Sequence, residues 1–398
     1  MNSNPTPQDW SDLLANLEVQ GLRRSFRILE SGQGTYINVA GRMLMNLASN
    51  DYLGLAAHPC IVQAVKEAVD RWGWGAGASR LVSGTMRIHA DLESRLATFK
   101  GAEAALVCPT GYQANLAAIR GLAGRGDVIF LDKLNHASII DASLARGPAR
   151  LEAPVVRVFP HRDYRRLERL LDKAKGTRRR IIVTDSIFSM DGDFADLSML
   201  VELKSRYDAL LIVDEAHATG VWGEHGRGLA EAMDVTEKID VAVGTLSKAL
   251  GGLGGFIAAS REIIDWLVNT ARPFIYTTAL PPAACAAAMA ALDLVEREPG
   301  RRLGLIRMAA WFREQVAGGL GLDIAGSCSQ IIPIIVGPVD RTVELSRALE
   351  EAGFLVPAIR PPTVPKGKSR LRISLCADHQ QTDLARLLDV LGTVCRKR

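Results

Sequence analysis

Residues 181–220 read IIVTDSIFSMDGDFADLSMLVELKSRYDALLIVDEAHATG. Two short apolar runs, 181–185 and 210–214, each end on an aspartate, Asp185 and Asp214. Between them, 197–207 has the look of a helix. Apolar runs that do not alternate with polar residues read as strands buried on both faces, and strands alternating with helices form a parallel sheet. Working outward, the same pattern recurs at 104–108, 128–132, 155–159, 241–245 and 255–258, with a further helical stretch at 164–175. The expected fold is α/β: a mostly parallel central sheet with helices on both faces. Ligands of such sheets bind beyond the carboxyl ends of the strands. Asp132, Asp185, Asp214 and Thr245 therefore stand where chemistry is expected.

The two ends of the chain depart from this pattern. Residues 1–55 hold one helix-like segment and a short extended piece. From 296 onward an α+β pattern follows, with strands predicted at 331–336 and 370–375 and a helix at 341–353 closed by Gly353. The predicted organisation is an N-terminal segment, 1–55, joining a small domain; a large α/β domain, 56–295; and a small α+β domain, 296–398.

Bulk properties narrow the function classes. The 398 residues are 48% hydrophobic and 23% charged, an ordinary globular balance. The net charge is +4 and the pI about 8.7, with basic residues scattered. The runs Arg178-Arg179-Arg180 and Arg396-Lys397-Arg398 read as solvated surface, not as a nucleic-acid face. Six cysteines, at 60, 108, 285, 328, 376 and 395, form no C-x-x-C pair. Their spacing suits neither zinc nor a disulfide framework, as expected of reduced thiols in a cytoplasmic protein. The polar first ten residues, with Asp9, do not read as a signal peptide. The most apolar stretch, 279–295, is broken by Pro281, Pro282 and Asp293 and falls short of the ~20 residues of a membrane span. Its alanines predict a tightly packed internal helix.

Several motifs sit at strand ends. Asp214-Glu215-Ala216-His217 reads as a strand ending in a hydrogen-bonded aspartate, with His217 either structural or functional. The same tetrapeptide marks nucleic-acid-dependent ATPases, but these need an upstream G-x-x-x-x-G-K-[ST] loop. The Gly367-Lys368-Ser369 tripeptide lies downstream, with Pro362 where the leading glycine belongs, which speaks against that class. In Gly244-Thr245-Leu246-Ser247-Lys248-Ala249-Leu250-Gly251-Gly252 a lysine follows a strand end among small residues. Glycines allow a flat ligand to approach closely, and a lysine screened from water becomes a nucleophile toward carbonyls. Pro109-Thr110-Gly111-Tyr112 leads from a strand into a helix; it is either a plain turn or a phosphate site at a helix N-terminus. His136 and Ser189 follow two further strand ends. A lysine, a carboxylate and a phosphate cradle on one rim are what pyridoxal phosphate requires.

Taken with Ser49-Asn50-Asp51-Tyr52-Leu53-Gly54, Asn135-His136-Ala137-Ser138 and Phe188-Ser189-Met190-Asp191-Gly192, these motifs resemble the α-oxoamine synthases, fold-type I pyridoxal-phosphate transferases. The likeness spans about 13–391. It implies a decarboxylating condensation of an amino acid with an acyl thioester. The segments Ile359-Arg360-Pro361-Pro362-Thr363-Val364-Pro365 and Arg370-Leu371-Arg372 are most similar to members that join L-alanine to a pimeloyl group on CoA or acyl carrier protein. Ser79-Arg80-Leu81-Val82-Ser83-Gly84-Thr85 and Tyr276-Thr277-Thr278 also resemble members acting on glycine or serine. Many relatives have glycine where Ser247 stands.

Roles follow from the resemblance. It implies that Lys248 holds the cofactor as a Schiff base and serves as general base, and that Asp214 pairs with the ring nitrogen. His217 and Ser189 would meet the ring O3′, and His136 the ring face and the substrate. Gly111, Tyr112 and Thr245 would hold the phosphate. Thr277 and Thr278 would reach the neighbouring subunit's phosphate, which implies a homodimer with shared sites. Arg372 would take the amino-acid carboxylate, and Asn50, Arg23 and Thr363 are further substrate positions. No metal, nucleic acid or membrane is expected.

Overall fold

In the computed structural model, residues 9–144 and 153–396 are described. The polar first eight residues, and Lys397 and Arg398 of the basic C-terminal run, lie outside them. Thirteen strands are described: β1 (Tyr36–Val39), β2 (Arg42–Asn46), β3 (Ala104–Cys108), β4 (Asp127–Asp132), β5 (Val155–Phe159), β6 (Arg179–Asp185), β7 (Ala209–Asp214), β8 (Val241–Thr245), β9 (Gly255–Ala259), β10 (Ile331–Gly337), β11 (Phe354–Leu355), β12 (Ala358–Ile359) and β13 (Ser369–Ser374).

Seven of them form the central sheet, in the order β3-β9-β8-β7-β6-β4-β5. The β8-β7-β6-β4-β5 run is parallel throughout. β9 runs against both neighbours. The cause is local: the loop 246–254 between β8 and β9 is too short for the crossover that parallel neighbours need. Alternate residues of each strand feed opposite faces. Ile182, Leu211 and Val213 pack with Leu167, Leu171 and Leu200 on one side. Ile181, Val183 and Ile212 pack with Ala114, Ala118 and Leu267 on the other.

The expected strands are all present, with small changes of bounds. The strand expected from 181 opens instead at Arg179. Arg178 and Arg179 are exposed, as read from the sequence, and Arg180 is partly buried. Arg178 donates to both oxygens of Asp127, at 2.8 and 2.6 Å. Asp127 is fully buried, and a buried carboxylate needs a partner charge. Arg180 reaches the Asp208 carbonyl at 3.2 Å.

Two three-stranded sheets stand apart, β1-β2-β11 and β10-β13-β12. In the first, β11 from the C-terminal part of the chain runs parallel to β2. The helix expected at 341–353 spans Val339–Glu351, and Gly353 follows with φ +94°. The alanine-rich stretch forms the helix Pro282–Arg297, buried along much of its length. Among the described residues no helix is long and apolar enough to cross a membrane.

Candidate active site

The parallel register sets Asp185 beside Asp214 at the carboxyl edge of the sheet. Each next element adds to that rim. β8 ends at Thr245, and the loop after it folds on itself: Gly252 N–H donates to the Leu246 carbonyl at 2.8 Å and Gly251 N–H to the Lys248 carbonyl at 2.9 Å. Gly251 has φ +64°, and a Cβ there would lie 2.5 Å from the Ala56 backbone. Only glycine permits this turn. The loop thereby presents Lys248 to the rim.

Lys248 Nζ lies 2.9 Å from His217 Nε2. Burial pushes the amine down to about 8, although Asp214 and Asp185 oppose the shift. His217 is held well below the usual histidine range, first by burial and then by Lys248 and Arg372. A neutral ring that accepts from Lys248 at Nε2 carries its proton on Nδ1, which stands 2.6 Å from the Tyr52 hydroxyl. Tyr52 donates in turn to Asn50 Oδ1 at 3.1 Å, and Arg372 Nη2 donates to the same oxygen at 3.2 Å. A continuous hydrogen-bond chain thus joins Lys248 to Arg372.

Arg372 is 5% exposed. Its remaining donors reach the Ser189 carbonyl at 2.7 Å and Ser374 Oγ at 2.8 Å. All these partners are neutral. A buried guanidinium without a carboxylate is an expensive arrangement, and it leaves the fork suited to an anionic ligand.

Asp214 presents the opposite case. It is 6% exposed. Oδ1 accepts from Ala216 N–H at 2.8 Å and Oδ2 from Asn115 Nδ2 at 2.6 Å. Among the described residues no cation pairs with it within 4 Å. Burial, then the nearby Asp214, pushes Asp185 well above the usual carboxylate range.

The turn before the helix Gly111–Leu122 forms a third feature. Thr110 caps the helix through a 3.1 Å bond from Gln113 N–H. A Cβ on Gly111 would lie 3.3 Å from Thr245, and one on Gly255 would lie 2.5 Å from Gly111 Cα. Thr245 Oγ1 lies 2.7 Å from Ser247 Oγ and donates to the Gly254 carbonyl at 2.9 Å. A buried acid without a cation, a cooled amine and a glycine-lined helix start fit the three poles of pyridoxal phosphate.

The other expected site residues are distributed as follows. His136 stands exposed at the rim, its backbone N–H bonded to Asp185 at 2.8 Å and its Nδ1 2.7 Å from Ser138 Oγ. Tyr112 bonds Asp141. Gln113 Nε2 donates to Thr277 Oγ1 at 3.3 Å, while Thr278 bridges to Ser79 on an exposed segment. Arg23 and Thr363 are not brought into the Lys248 network. Arg23 pairs with Glu18 at 3.3 Å, and Thr363 accepts from Arg24 at 3.2 Å.

Asn115 was not singled out from the sequence, nor was a task for Tyr52. Asn115 sits one turn into a helix otherwise rich in alanine, and that lone buried amide was the available signal. Tyr52 lies within the Ser49–Gly54 motif, but its bond to His217 spans 165 residues and has no local signature.

The chain matches the family described as aminotransferase class I and II over residues 42–391. It is 52% identical over 383 residues to the 8-amino-7-oxononanoate synthase of Geobacter sulfurreducens, covering 96% of each chain. The serine palmitoyltransferase of Sphingomonas wittichii superposes with a TM-score of 0.90 at 32% identity, over 97% of this chain and 96% of that one. A serine palmitoyltransferase structure with PLP as its internal aldimine superposes equally well, TM-score 0.90, at 28% identity over 98% and 99% of the two chains.

Proposed function

We propose that this chain, which belongs to the class I and II aminotransferase family and to its 8-amino-7-oxononanoate synthases, condenses L-alanine with a pimeloyl thioester. The products are 8-amino-7-oxononanoate, CO₂ and the free thiol, and the reaction belongs to biotin biosynthesis. The observation that carries this reading is the buried, carboxylate-free Arg372, linked through Asn50, Tyr52 and His217 to Lys248.

The cofactor is pyridoxal phosphate, which when bound supplies an electron sink for the α-carbon of the amino acid. Lys248 would hold it, with Gly111, Tyr112 and Thr245 about the phosphate. Asp214 would keep a proton at the ring nitrogen, its carboxylate being bonded only to neutral donors. His217 and Ser189 would stand at O3′, and His136 would lie over the ring. Arg372, with Asn50, binds the alanine carboxylate and sets the α-hydrogen toward Lys248. The Lys248 amine, held at about 8, is neutral in a usable fraction near neutral pH and removes that proton as a general base. The α-carbon then attacks the thioester carbonyl, the thiol leaves, and the original alanine carboxylate departs as CO₂. Arg23 and Thr363 would face the acyl chain.

Relatives acting on glycine or serine share much of this machinery, and the serine palmitoyltransferase likeness makes them the second reading. A panel separates the two: thiol release is measured with alanine, glycine or serine against pimeloyl, acetyl, succinyl and palmitoyl thioesters. Alanine with pimeloyl thioester should exceed every other pair by about tenfold or more, the discrimination one methyl-sized difference allows. Preference for glycine or serine with another acyl group sinks the proposal.

The active unit is a cytoplasmic homodimer with shared sites. Support comes from large exposed apolar residues near Thr277 and Thr278, among them Val82 (79%) and Tyr276 (71%). Such a patch on a monomer calls for a partner, and a second copy is the simplest. Subunits bearing Lys248→Ala, mixed with subunits bearing Thr277→Ala and Thr278→Ala, should give more activity than the two parents summed. Activity that only averages the parents, or a fully active monomer in sedimentation, contradicts shared sites.

A further inference from the structure

We propose that His161 is a cationic positioning residue that ties the loop carrying His136 to the loop carrying Ser189, and so sets where both stand around Lys248. This rests on the Lys248-centred site described above.

The geometry is that of a bridge. His161 follows the end of β5, the edge strand. Its Nδ1 lies 2.9 Å from Asp132 Oδ1 and its Nε2 2.8 Å from Asp193 Oδ2. Ionised carboxylates only accept, so both ring nitrogens must donate, and the ring must carry its charge. Both aspartates are nearly fully buried. Burial by itself would lower the His161 pKa, but the bonds to Asp132 and Asp193 overcome it and hold the ring up at about 9. The other charged or titratable neighbours are Arg162, 3.1 Å from Asp193; Tyr164 and Asp196, just beyond; and Asp185, which feels the charge of Asp132.

Each aspartate in turn holds a loop. Asp132 accepts from Leu134 N–H at 2.8 Å, at the start of the turn that leads to His136. The carbonyl of Asp193 accepts from Phe188 N–H at 3.1 Å, next to Ser189. The Phe188 ring meets His161 edge-on, with centroids 4.4 Å apart. Without His161, only the half-exposed Arg162 would remain at Asp193, among the described residues no cation would reach Asp132, and the two loops would lose the ring that ties them together. The bridge's contribution is complete below the ordinary histidine pKa of ~6.5 and is lost as pH rises through about 9.

The test uses the holoenzyme. His161→Gln should lower kcat by about tenfold, with the KM for alanine within about twofold of wild type, because Arg372 keeps its bonds to Asn50 and Ser374. The wild-type kcat should fall as pH rises through about 9, and His161→Gln should lack that limb. In ¹⁵N-histidine spectra of the wild type, the signal absent from His161→Gln should be that of an imidazolium at pH 7.5. That spectrum does not depend on the reaction, so failure of the proposed activity and failure of the bridge are separable. Lowered thermal stability with unchanged kcat and pH profile, or a neutral His161 at pH 7.5, overturns the proposal. If His161→Gln does not fold, His161→Arg replaces it. Arginine keeps the charge at all these pH values, so kcat should be retained with the limb near pH 9 gone; a limb left in place overturns the proposal.

Discussion

Lys248→Ala should lose α-proton exchange from L-alanine by a factor of about 10²–10⁴, the usual worth of a positioned general base. The reason is spatial. The loop after β8 brings one amine to the rim, 2.9 Å from His217, and burial lowers it to about 8. Alanine at this position leaves no proton acceptor there. His217 cannot take over, because burial, the main cause that holds it below the usual range, persists in the variant and leaves it a poor base. The glycine turns that shape the loop do not involve the lysine side chain, so the variant should fold and still bind pyridoxal phosphate non-covalently. Deuterium exchange at the alanine α-carbon, measured per bound cofactor, checks this. Exchange at the wild-type rate would remove Lys248 from its role.

Asp214→Asn should retain the cofactor, because Lys248 and the turn at Gly111 are unchanged, yet exchange should fall by about 100-fold. A charged hydrogen bond is worth about 1.5–3 kcal/mol, and each ~1.4 kcal/mol is tenfold in rate. A neutral amide cannot hold a proton at the ring nitrogen. It also meets Asn115 Nδ2, which now donates to Oδ2 at 2.6 Å, so one of the two amides must turn. Asp214→Glu keeps the charge but moves it, and should fall between the two. The same exchange measurement serves, together with equilibrium binding of pyridoxal phosphate. Normal exchange in Asp214→Asn would mean that its charge is not the one that matters.

Much of this rim was legible before any coordinates, for one physical reason. Strands buried on both faces must be apolar, so the polar residue ending each run is conspicuous, and Asp132, Asp185, Asp214 and Thr245 were placed that way. The small residues about Lys248 gave a second clear signal, because close packing demands them. What could not be read was adjacency across the sheet. The order β3-β9-β8-β7-β6-β4-β5 decides that Asp185 neighbours Asp214, and no local pattern encodes that order; Tyr52 reaches His217 from outside this sheet. The pairing of Arg178 with Asp127, 51 residues away, escaped for the same cause. His161 passed unnoticed because its two carboxylates come from distant places, the end of β4 and the loop after β6. The reversed direction of β9 was legible in principle from the shortness of the loop 246–254.

The most direct measurement of a Lys248-centred site is chemical mapping of the holoenzyme. Borohydride reduction followed by peptide mass spectrometry fixes the cofactor to whatever amine holds it. The expected result is a single pyridoxyl group on the peptide containing Lys248, absent from Lys248→Ala. A pyridoxyl group on any other lysine, or none at all in an active preparation, contradicts it.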